Sequence, residues 1–185
     1  MIITFCGHSH YTESKDDEQK ILSVLEDIIG NNYAEIYLGG YGEFDDFARR
    51  CGKKFKDKHP NTKLIFITPY ISPEYQKNHL EYIKDLYDEI IYPELENVPP
   101  RFAISYRNKW MVDKADLIIA YINHSFGGAY QTYKYANKKE RSLLTLLENI
   151  KRKTARFSFF ILIKYFPSIP QSPQARLRFA HPRAS

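Results

Sequence analysis

The stretch from residue 99 to residue 132 constrains the fold more than any other part of the sequence. It predicts a helix from about Phe102 to Lys114, a strand at Leu117–Ile122 and a second helix that begins at Gly127. The strand is a continuous apolar run, which is typical of a parallel strand covered on both faces. Gly127 and Gly128 let the backbone turn and leave free N–H groups at the helix start, which favours binding of an anion.

Strands and helices alternate through the rest of the chain in the same way. Short runs rich in β-branched and aromatic residues are followed by longer segments with apolar residues at helical spacing. Such alternation predicts βαβ crossovers and a mostly parallel sheet of about five to six strands. The predicted elements are strands at Ile2–Cys6, Ala34–Leu38, Lys63–Pro69 and Glu89–Tyr92, a helix from a cap at Ser14 or Asp16 to about Ile29, a helix from about Glu43, a loop with a helix at Ile71–Asp85, and a last helix that ends near Lys138.

Size and composition indicate one globular domain without a membrane-spanning segment. The 185 residues include 43% hydrophobic residues, which is enough for a full core. No apolar run approaches the ~20 residues that span a bilayer, and the first residues lack the pattern of a signal peptide. Cys6 and Cys51 do not make a disulfide framework, so we expect a cytoplasmic protein in which Cys6 packs within a strand.

Charge is distributed unevenly, and basic residues concentrate in the C-terminal tail. Residues 149–185 carry eight Lys or Arg and no acidic residue, whereas residues 1–148 carry 19 basic and 22 acidic residues. The formal charge of +5 therefore comes from the tail alone. A slightly acidic body argues against nucleic acid as its partner.

Three small turns, at residues 7–8, 39–42 and 127–128, follow predicted strands, and each contains glycine. The carboxyl ends of parallel strands meet along one edge of a doubly wound sheet, where ligands bind. A single glycine turn is equally well explained as a tight connection from strand to helix. Two Gly-Gly turns at strand ends, with Arg107 on the helix before the last strand, predict a cleft for a nucleotide or a phosphate.

Polar side chains near these turns complete the predicted site. Arg107 would present a guanidinium for a bidentate contact with an anion, while His124 has either a capping or a chemical role. Asp45 is explained by the dipole at a helix start, and His8 with His10 lacks the further ligands of a metal site. We predict no metal and no cofactor, and the predicted ligand-binding residues are Gly7, His8, Gly39, Gly40, Tyr41, Gly42, Arg101, Arg107, Asn108, Met111, His124, Ser125, Gly127 and Gly128.

Four segments at these positions resemble the SLOG superfamily. They are TFCGH at 4–8, YLGGYGEFD at 37–45, VPPRFAISYRNKWM at 98–111 and ADLIIAYINHSFGGAYQT at 115–132. The superfamily is a Rossmann-like group that includes YpsA-type proteins, the DNA-processing protein DprA and the cytokinin-activating LOG enzymes. The chain is similar in particular to small stand-alone bacterial and phage members, over roughly residues 1–140.

The resemblance implies a Rossmann-like three-layer fold whose glycine turns bind a nucleotide or a nucleotide-derived ligand. It places Gly39, Gly40 and Gly42 in the phosphate-side turn. Arg107 and Met111 fall on the arginine and methionine of the R-K-x-x-M motif of LOG enzymes. The glycines of the P-G-G-x-G-T-x-x-E motif correspond to residues 127–128.

Several residues depart from the LOG pattern. Asn108 replaces the lysine, Phe126 replaces the proline, Tyr130 and Gln131 replace the Gly-Thr pair, and Lys134 stands at the glutamate position. A phosphoribohydrolase needs that carboxylate beside a cationic sugar transition state, and a lysine has the wrong charge. We therefore expect binding or sensing rather than hydrolysis.

The sequence after Lys138 no longer fits the superfamily. Members usually continue with Gly-Lys and a final strand such as IINL, whereas this chain reads KKERSLLTLLENI. Codons for K-K-E-R-S-L-L-T-L can be chosen so that a one-base shift in an adenine-rich stretch reads K-K-G-K-I-F-I-N-L, so we hypothesise a domain at 1–140 and a frameshift-derived basic tail at 141–185. A genuine divergent tail is the alternative, and Phe157–Phe166 within it predict a strand or an aggregation-prone segment.

The sequence thus leaves three functions to consider. The first is a protein that binds or senses a nucleotide or nucleotide-derived small molecule through residues 39–42, Arg107 and residues 127–128. A LOG-like phosphoribohydrolase is disfavoured by the missing glutamate, and a DprA-like module for single-stranded DNA by the acidic body. The ligand and the oligomeric state, a homo-oligomer included, stay open. Arg107→Ala is expected to weaken phosphate binding by ~1.5–3 kcal/mol without unfolding the chain.

Overall fold

The computed structural model describes residues 1–147, which form one six-stranded sheet flanked by helices. All six strands run parallel, in the order β4-β3-β2-β1-β5-β6. The expected α/β, Rossmann-like three-layer fold is confirmed. The strands are β1 (Ile2–Gly7), β2 (Ala34–Leu38), β3 (Thr62–Ile67), β4 (Glu89–Ile91), β5 (Leu117–Tyr121) and β6 (Ser142–Thr145). The helices are α1 (Lys15–Ile28), α2 (Glu43–Lys58), α3 (Pro73–Tyr75), α4 (Glu81–Ile83), α5 (Ala103–Lys114) and α6 (Gly127–Lys138).

The strand order reverses at β1, and this reversal determines where a ligand can bind. From β1 the chain adds β2, β3 and β4 on one side, and it then returns to place β5 against the other side of β1. The connections that leave β1 and β5 therefore run apart at the carboxyl edge of the sheet. Such a switch point leaves a crevice that ligands occupy in open α/β sheets.

Apolar side chains fill the space on both faces of the sheet. On one face Ile36 of β2 packs with Leu25 of α1 and Phe47 of α2. On the other face Ile118 of β5 packs with Val112 of α5 and with residues of α6. Helices α1 and α2 thus form one layer, and α5 and α6 form the other.

Residues 71–86 contain the loop and the helix predicted for Ile71–Asp85, because a helical segment runs without a break from Pro73 to Leu86, but its hydrogen-bond pattern changes along its length. Helices α3 and α4 are separated by a π-helical turn at Gln76–Leu80, and a 3₁₀ turn follows at Lys84–Leu86. None of these residues is buried, so the segment lacks the apolar stripe that stabilises a longer helix.

The sheet continues past the predicted domain boundary at residue 140. Strand β6 pairs with β5, and its Leu143 is buried, because the run LLTLL supplies the apolar residues that an edge strand needs. The frameshift hypothesis is not tested by this strand. The predicted segment Phe157–Phe166 lies outside the described residues. Within residues 1–147, the structure contains no helix whose length and apolar character would allow it to cross a membrane.

Candidate functional site

A cavity of about 430 Å³ lies at the carboxyl edge of the sheet, where β1, β2 and β5 end. Its walls are formed by the turn after β2, the start of α6 and one side of α5. The two Gly-Gly turns predicted from the sequence therefore meet at one cavity. The position agrees with the switch point between β1 and β5.

The first wall is the turn after β2, and its glycines are packed against neighbouring atoms. Gly40 and Gly42 have φ angles of +70° and +94°, which residues with a side chain rarely adopt. A Cβ atom on Gly42 would lie 2.6 Å from the Cα atom of Ser9, in the loop after β1. A Cβ atom on Gly39 would lie 2.5 Å from Nη1 of Arg107. Glycine is required here because other parts of the protein occupy the space.

Arg107 holds this wall from behind, and its side chain is only 1% exposed. Nη1 donates hydrogen bonds to the carbonyl oxygens of Gly39, at 2.6 Å, and of Ile67, at 2.9 Å. Its guanidinium carbon lies 5.4 Å from the ring centroid of Tyr41, and its buried Nε has no partner within residues 1–147. The guanidinium therefore ties together the ends of β2 and β3 while it places a positive charge at the back of the cavity.

This structural role changes the expectation for Arg107→Ala. Removing a fully buried guanidinium would leave two strand-end carbonyl groups without their donor and would open a void. We therefore expect the substitution to destabilise the protein as well as to weaken anion binding.

Asp45, at the start of α2, lines the cavity beside the first turn. Its Oδ2 accepts a hydrogen bond from the N–H of Tyr41 at 2.9 Å. Burial raises the pKa of its carboxyl group to about 6, although Arg107 and the Tyr41 N–H act in the opposite direction. The sequence explained Asp45 by the helix dipole alone, and it gave no signal that this side chain reaches the cavity.

The second wall is the start of α6, and its glycines face open space. Gly127 has a φ angle of +83°, and the nearest atom to a Cβ placed on it is 3.9 Å away. A Cβ placed on Gly128 would have no neighbour within 4 Å among the described residues. Within the part of the chain that the structure describes, no side chain caps this helix, so the first-turn N–H groups lack the partner that a capping residue provides.

A chain of hydrogen bonds links α5 to this second turn. Nδ2 of Asn108 donates to Oγ1 of Thr132 at 3.3 Å, and the Thr132 hydroxyl donates to the carbonyl oxygen of Gly128 at 2.9 Å. Through these hydrogen bonds Asn108, which the sequence resemblance compares with the LOG lysine, orders the start of α6. The sequence did not single out Thr132 as a site residue.

Three rings form a ladder at the side of the cavity. The ring centroids of His8 and His124 are 3.5 Å apart, and those of His124 and Phe126 are 3.9 Å apart. Nε2 of His8 donates to the carbonyl oxygen of His124 at 3.2 Å, and burial together with the neighbouring His124 lowers the pKa of His8. Phe126 ends the ladder and is 68% exposed. The sequence identified Phe126 only as a departure from the LOG motif.

Cys6 lies on the floor of the cavity as a packed thiol. Its Sγ donates to the carbonyl oxygen of Ala129 at 3.2 Å, and burial raises the pKa of the thiol to about 12. A thiol with so high a pKa is a poor nucleophile at neutral pH.

Most of the predicted ligand-binding residues line this one cavity. Arg101 is not among them, because it is exposed in the 3₁₀ turn Pro100–Phe102 with its guanidinium over the Phe102 ring. Lys134, at the LOG glutamate position, is exposed and does not line the cavity either. The predicted residues in the cavity wall are Gly7, His8, Gly39, Tyr41, Arg107, Asn108, Met111, His124, Gly127 and Gly128, whereas Gly40, Gly42 and Ser125 lie beside it.

Solved structures show which proteins share this architecture. The chain aligns with DNA processing protein A of Helicobacter pylori at a TM-score of 0.55 and 18% identity, over 89% of this chain and 81% of that one. The chain shares its fold with DNA processing protein A. The Streptococcus pneumoniae protein, DprA, gives a TM-score of 0.52 at 15% identity, over 88% of this chain and 56% of that one.

A third structure and one sequence relative complete the comparison. The molybdenum cofactor carrier protein of Chlamydomonas reinhardtii gives a TM-score of 0.50 at 15% identity, over 85% of each chain. The chain is 29% identical over 166 residues to the uncharacterized SPβ prophage-derived protein YoqJ of Bacillus subtilis (strain 168). This match covers 80% of this chain and 94% of YoqJ. No family model matches the chain. At these identities the solved structures establish a common fold only.

Proposed function

We propose that this chain binds a small nucleotide or a nucleotide-derived ligand in the cavity at the carboxyl edge of the sheet. The observation that carries the proposal is the meeting of two glycine turns, distant in sequence, with the buried guanidinium of Arg107. The volume of about 430 Å³ lies within the ~300–1,000 Å³ that is typical of small-molecule sites. The resemblance to the SLOG superfamily supports the same ligand class.

The anionic part of the ligand would bind at the start of α6. The uncapped N–H groups of the first helical turn and the helix dipole favour a negative group there. Because Gly128 carries no side chain, a phosphate can approach the backbone closely. Arg107 adds a positive charge at the back of the same cavity, in surroundings that screen it poorly.

The planar part of the ligand would stack on the ring ladder. His8 and His124 hold Phe126 in place, and Phe126 leaves much of its ring exposed. Stacking on an aromatic ring is favourable for any flat heteroaromatic group. A nucleotide or a close derivative combines such a ring with an anionic group.

The site supports binding better than hydrolysis of the LOG type. Lys134 occupies the glutamate position and points outside the cavity wall, and Asp45 is the one acidic residue of the described chain that lines the cavity. The Asp45 carboxylate already accepts the Tyr41 N–H. A cavity of this volume has room for one nucleotide-sized ligand rather than for a strand of DNA, so we propose no strand binding within it.

Calorimetric titration of the full chain tests the proposal. AMP and GMP should bind more tightly than adenosine or inorganic phosphate alone, because each of those fills only part of the site. Phe126→Ala should weaken nucleotide binding several-fold, whereas Phe102→Ala, an exposed phenylalanine outside the cavity, should not. Chromatography after incubation should show no free base. The proposal fails if no nucleotide binds, or if the two phenylalanine variants behave alike.

A further inference from the structure

Cations are paired with acids in one part of the protein and unpaired in another. Most Lys and Arg of residues 1–100 form ion pairs, such as Lys54 with Glu18 at 2.8 Å. Within the described chain, no Lys or Arg of residues 101–147 lies within 4.0 Å of a carboxylate oxygen. Residues 1–100 carry 11 basic and 18 acidic residues, and residues 101–147 carry eight and three. The average over the body hides this segregation.

The unpaired cations concentrate on the outer side of α5 and α6. On α5, positions 106, 109, 110 and 114 repeat at helical spacing, as do positions 134, 135, 138 and 139 on and just after α6. We call this surface the α5–α6 face. It consists of Tyr106, Lys109, Trp110, Lys114, Lys134, Tyr135, Lys138 and Lys139.

Aromatic rings lie between these lysines. Nζ of Lys109 is 5.0 Å from the ring centroid of Tyr106 and 5.8 Å from that of Tyr135. The α5 and α6 parts of the face therefore meet at the Lys109 side chain. Nζ of Lys139 is 5.5 Å from the Tyr135 ring, and Nζ of Lys114 is 5.8 Å from the Trp110 ring. The face therefore interleaves cations with flat apolar surfaces.

The one carboxylate at the centre of this surface is already engaged. Asp113 accepts hydrogen bonds from the Tyr135 hydroxyl at 2.9 and 3.1 Å, and its carbonyl oxygen accepts one from Arg141 at 2.6 Å. Asp113 thereby fixes the Tyr135 ring rather than neutralising a lysine. The lysine charges of the face stay available to a partner.

We propose that the α5–α6 face binds single-stranded nucleic acid. Flexible lysines resting on aromatic rings can move to phosphate groups and uncover the ring faces, on which unpaired bases stack. A strand supplies phosphates and exposed bases together, whereas a duplex hides its bases and an acidic peptide has none. The face lies outside the cavity, so the inference holds whatever the cavity binds.

Fluorescence anisotropy with a labelled oligo-dT of about 20 nucleotides tests this proposal on the full chain. The variant K109Q/K134Q/K138Q/K139Q should weaken binding at least tenfold near ~0.1 M salt. It should also reduce the slope of log K against log[salt] by about 2 to 3, because each phosphate contact on a single strand contributes about 0.7. The variant K15Q/K53Q/K58Q/K77Q removes as many exposed lysines from residues 1–100 and should bind as the wild type does.

A second variant separates stacking from charge. Tyr106 is 48% exposed, so Tyr106→Ala should leave the melting temperature unchanged. It should weaken oligo-dT binding several-fold without changing the salt slope, since it removes a ring and no cation. A duplex of the same length should bind at least tenfold more weakly than the strand.

Three outcomes would overturn the proposal. Wild-type binding of oligo-dT by K109Q/K134Q/K138Q/K139Q would place the interaction elsewhere, the C-terminal tail included. The two lysine variants could weaken binding equally, which would show an effect of net charge alone. Equal binding of strand, duplex and polyglutamate competitor, with no effect of Tyr106→Ala, would show a general polyanion surface. AMP titration of the same variants should give wild-type binding in every case, so failure here is distinct from failure at the cavity.

Discussion

The two glycine turns that wall the cavity look alike in sequence and differ in what surrounds them. The turn after β2 is closed, because Ser9, Phe66 and Arg107 occupy the places where side chains would be. The turn before α6 is open, because no other atom of residues 1–147 lies within 4 Å of a Cβ on Gly128. One set of glycines is needed to fit the protein to itself, and the other leaves space for something else.

This difference assigns separate consequences to the two turns. Side chains added to the closed turn should damage folding first and binding only as a result. Side chains added to the open turn should damage binding while the fold persists. The predictions below test this separation.

Gly42→Ala should have the largest effect on stability. The new Cβ would meet the Cα atom of Ser9 at 2.6 Å, and the φ angle of +94° is unfavourable for any residue with a side chain. Strain and overpacking together should lower the free energy of unfolding by about 3 kcal/mol or more. Urea unfolding measures this loss.

Gly127→Ala is the matched control for the closed turn. Its φ angle of +83° is also positive, but the nearest atom to its Cβ is 3.9 Å away. The loss of stability should therefore be about 1–2 kcal/mol, the cost of the left-handed conformation alone. Equal losses for the two variants would contradict the distinction between a closed and an open turn.

Arg107→Met should rank second in its effect on stability. The methionine fills part of the volume but cannot donate to the carbonyl oxygens of Gly39 and Ile67. We expect the free energy of unfolding to fall by about 2–4 kcal/mol, since hydrogen bonds to charged groups are worth about 1.5–3 kcal/mol. Arg101→Met, at an exposed arginine, should change stability by less than about 0.5 kcal/mol.

Gly128→Ala should separate binding from folding. Alanine fits the open turn and favours a helix, so the free energy of unfolding should stay within about 1 kcal/mol of the wild-type value. The added methyl group lies where the ligand anion would approach, so AMP affinity should fall at least tenfold. Calorimetry and urea unfolding of the same preparation measure both quantities. Unchanged affinity would remove this turn from the site.

Much of the fold could be predicted from the sequence, because local signals and global topology agree. The buried run at Leu117–Tyr121, the Ser14 cap of α1 and the glycine start of α6 each identify their element. Strand β6 was missed because its sequence was compared with a family pattern that it does not follow, although the run LLTLL is apolar enough to form an edge strand.

The location of the candidate site could be predicted in outline, but the sequence does not show which of its residues stabilise the fold and which leave space for a ligand. Glycine at a strand end indicates a turn, and sequence cannot tell whether the freed space is filled or empty. Arg107 was expected to face the ligand, and its burial against two carbonyl groups depends on β3, whose end is distant in sequence. Thr132 enters the site through its hydrogen bond with Asn108 of α5, and Phe126 enters it through the ring of His124, which packs on His8 after β1.

Asp45→Asn tests the closed turn through the pH dependence of stability. The pKa of Asp45 is raised from 3.8 to about 6, so between these values the folded chain holds a proton that the unfolded chain has released. The free energy of unfolding contributed by this group therefore falls as pH rises from about 4 to about 6. Asparagine carries no such proton, so the variant should gain stability relative to wild type across that range.

Asp88→Asn provides a control of opposite sign. Burial opposes ionisation of Asp88, but its contacts with Lys56 and with the Leu64 N–H overcome this and lower the pKa below 3.8. Its ionised form stabilises the fold above the ordinary pKa, so Asp88→Asn should lose stability relative to wild type at pH 7 and less at acidic pH. Urea unfolding at about pH 4 and about pH 7 measures the Asp45 difference, and unfolding at about pH 2 to 3 and about pH 7 measures the Asp88 difference, because the stabilisation by Asp88 is lost only as pH falls below 3.8. A change in the free energy of unfolding of the same sign in both variants would mean that burial in the closed wall does not oppose ionisation of Asp45. The contrast between the two turns would then rest on the glycine variants alone.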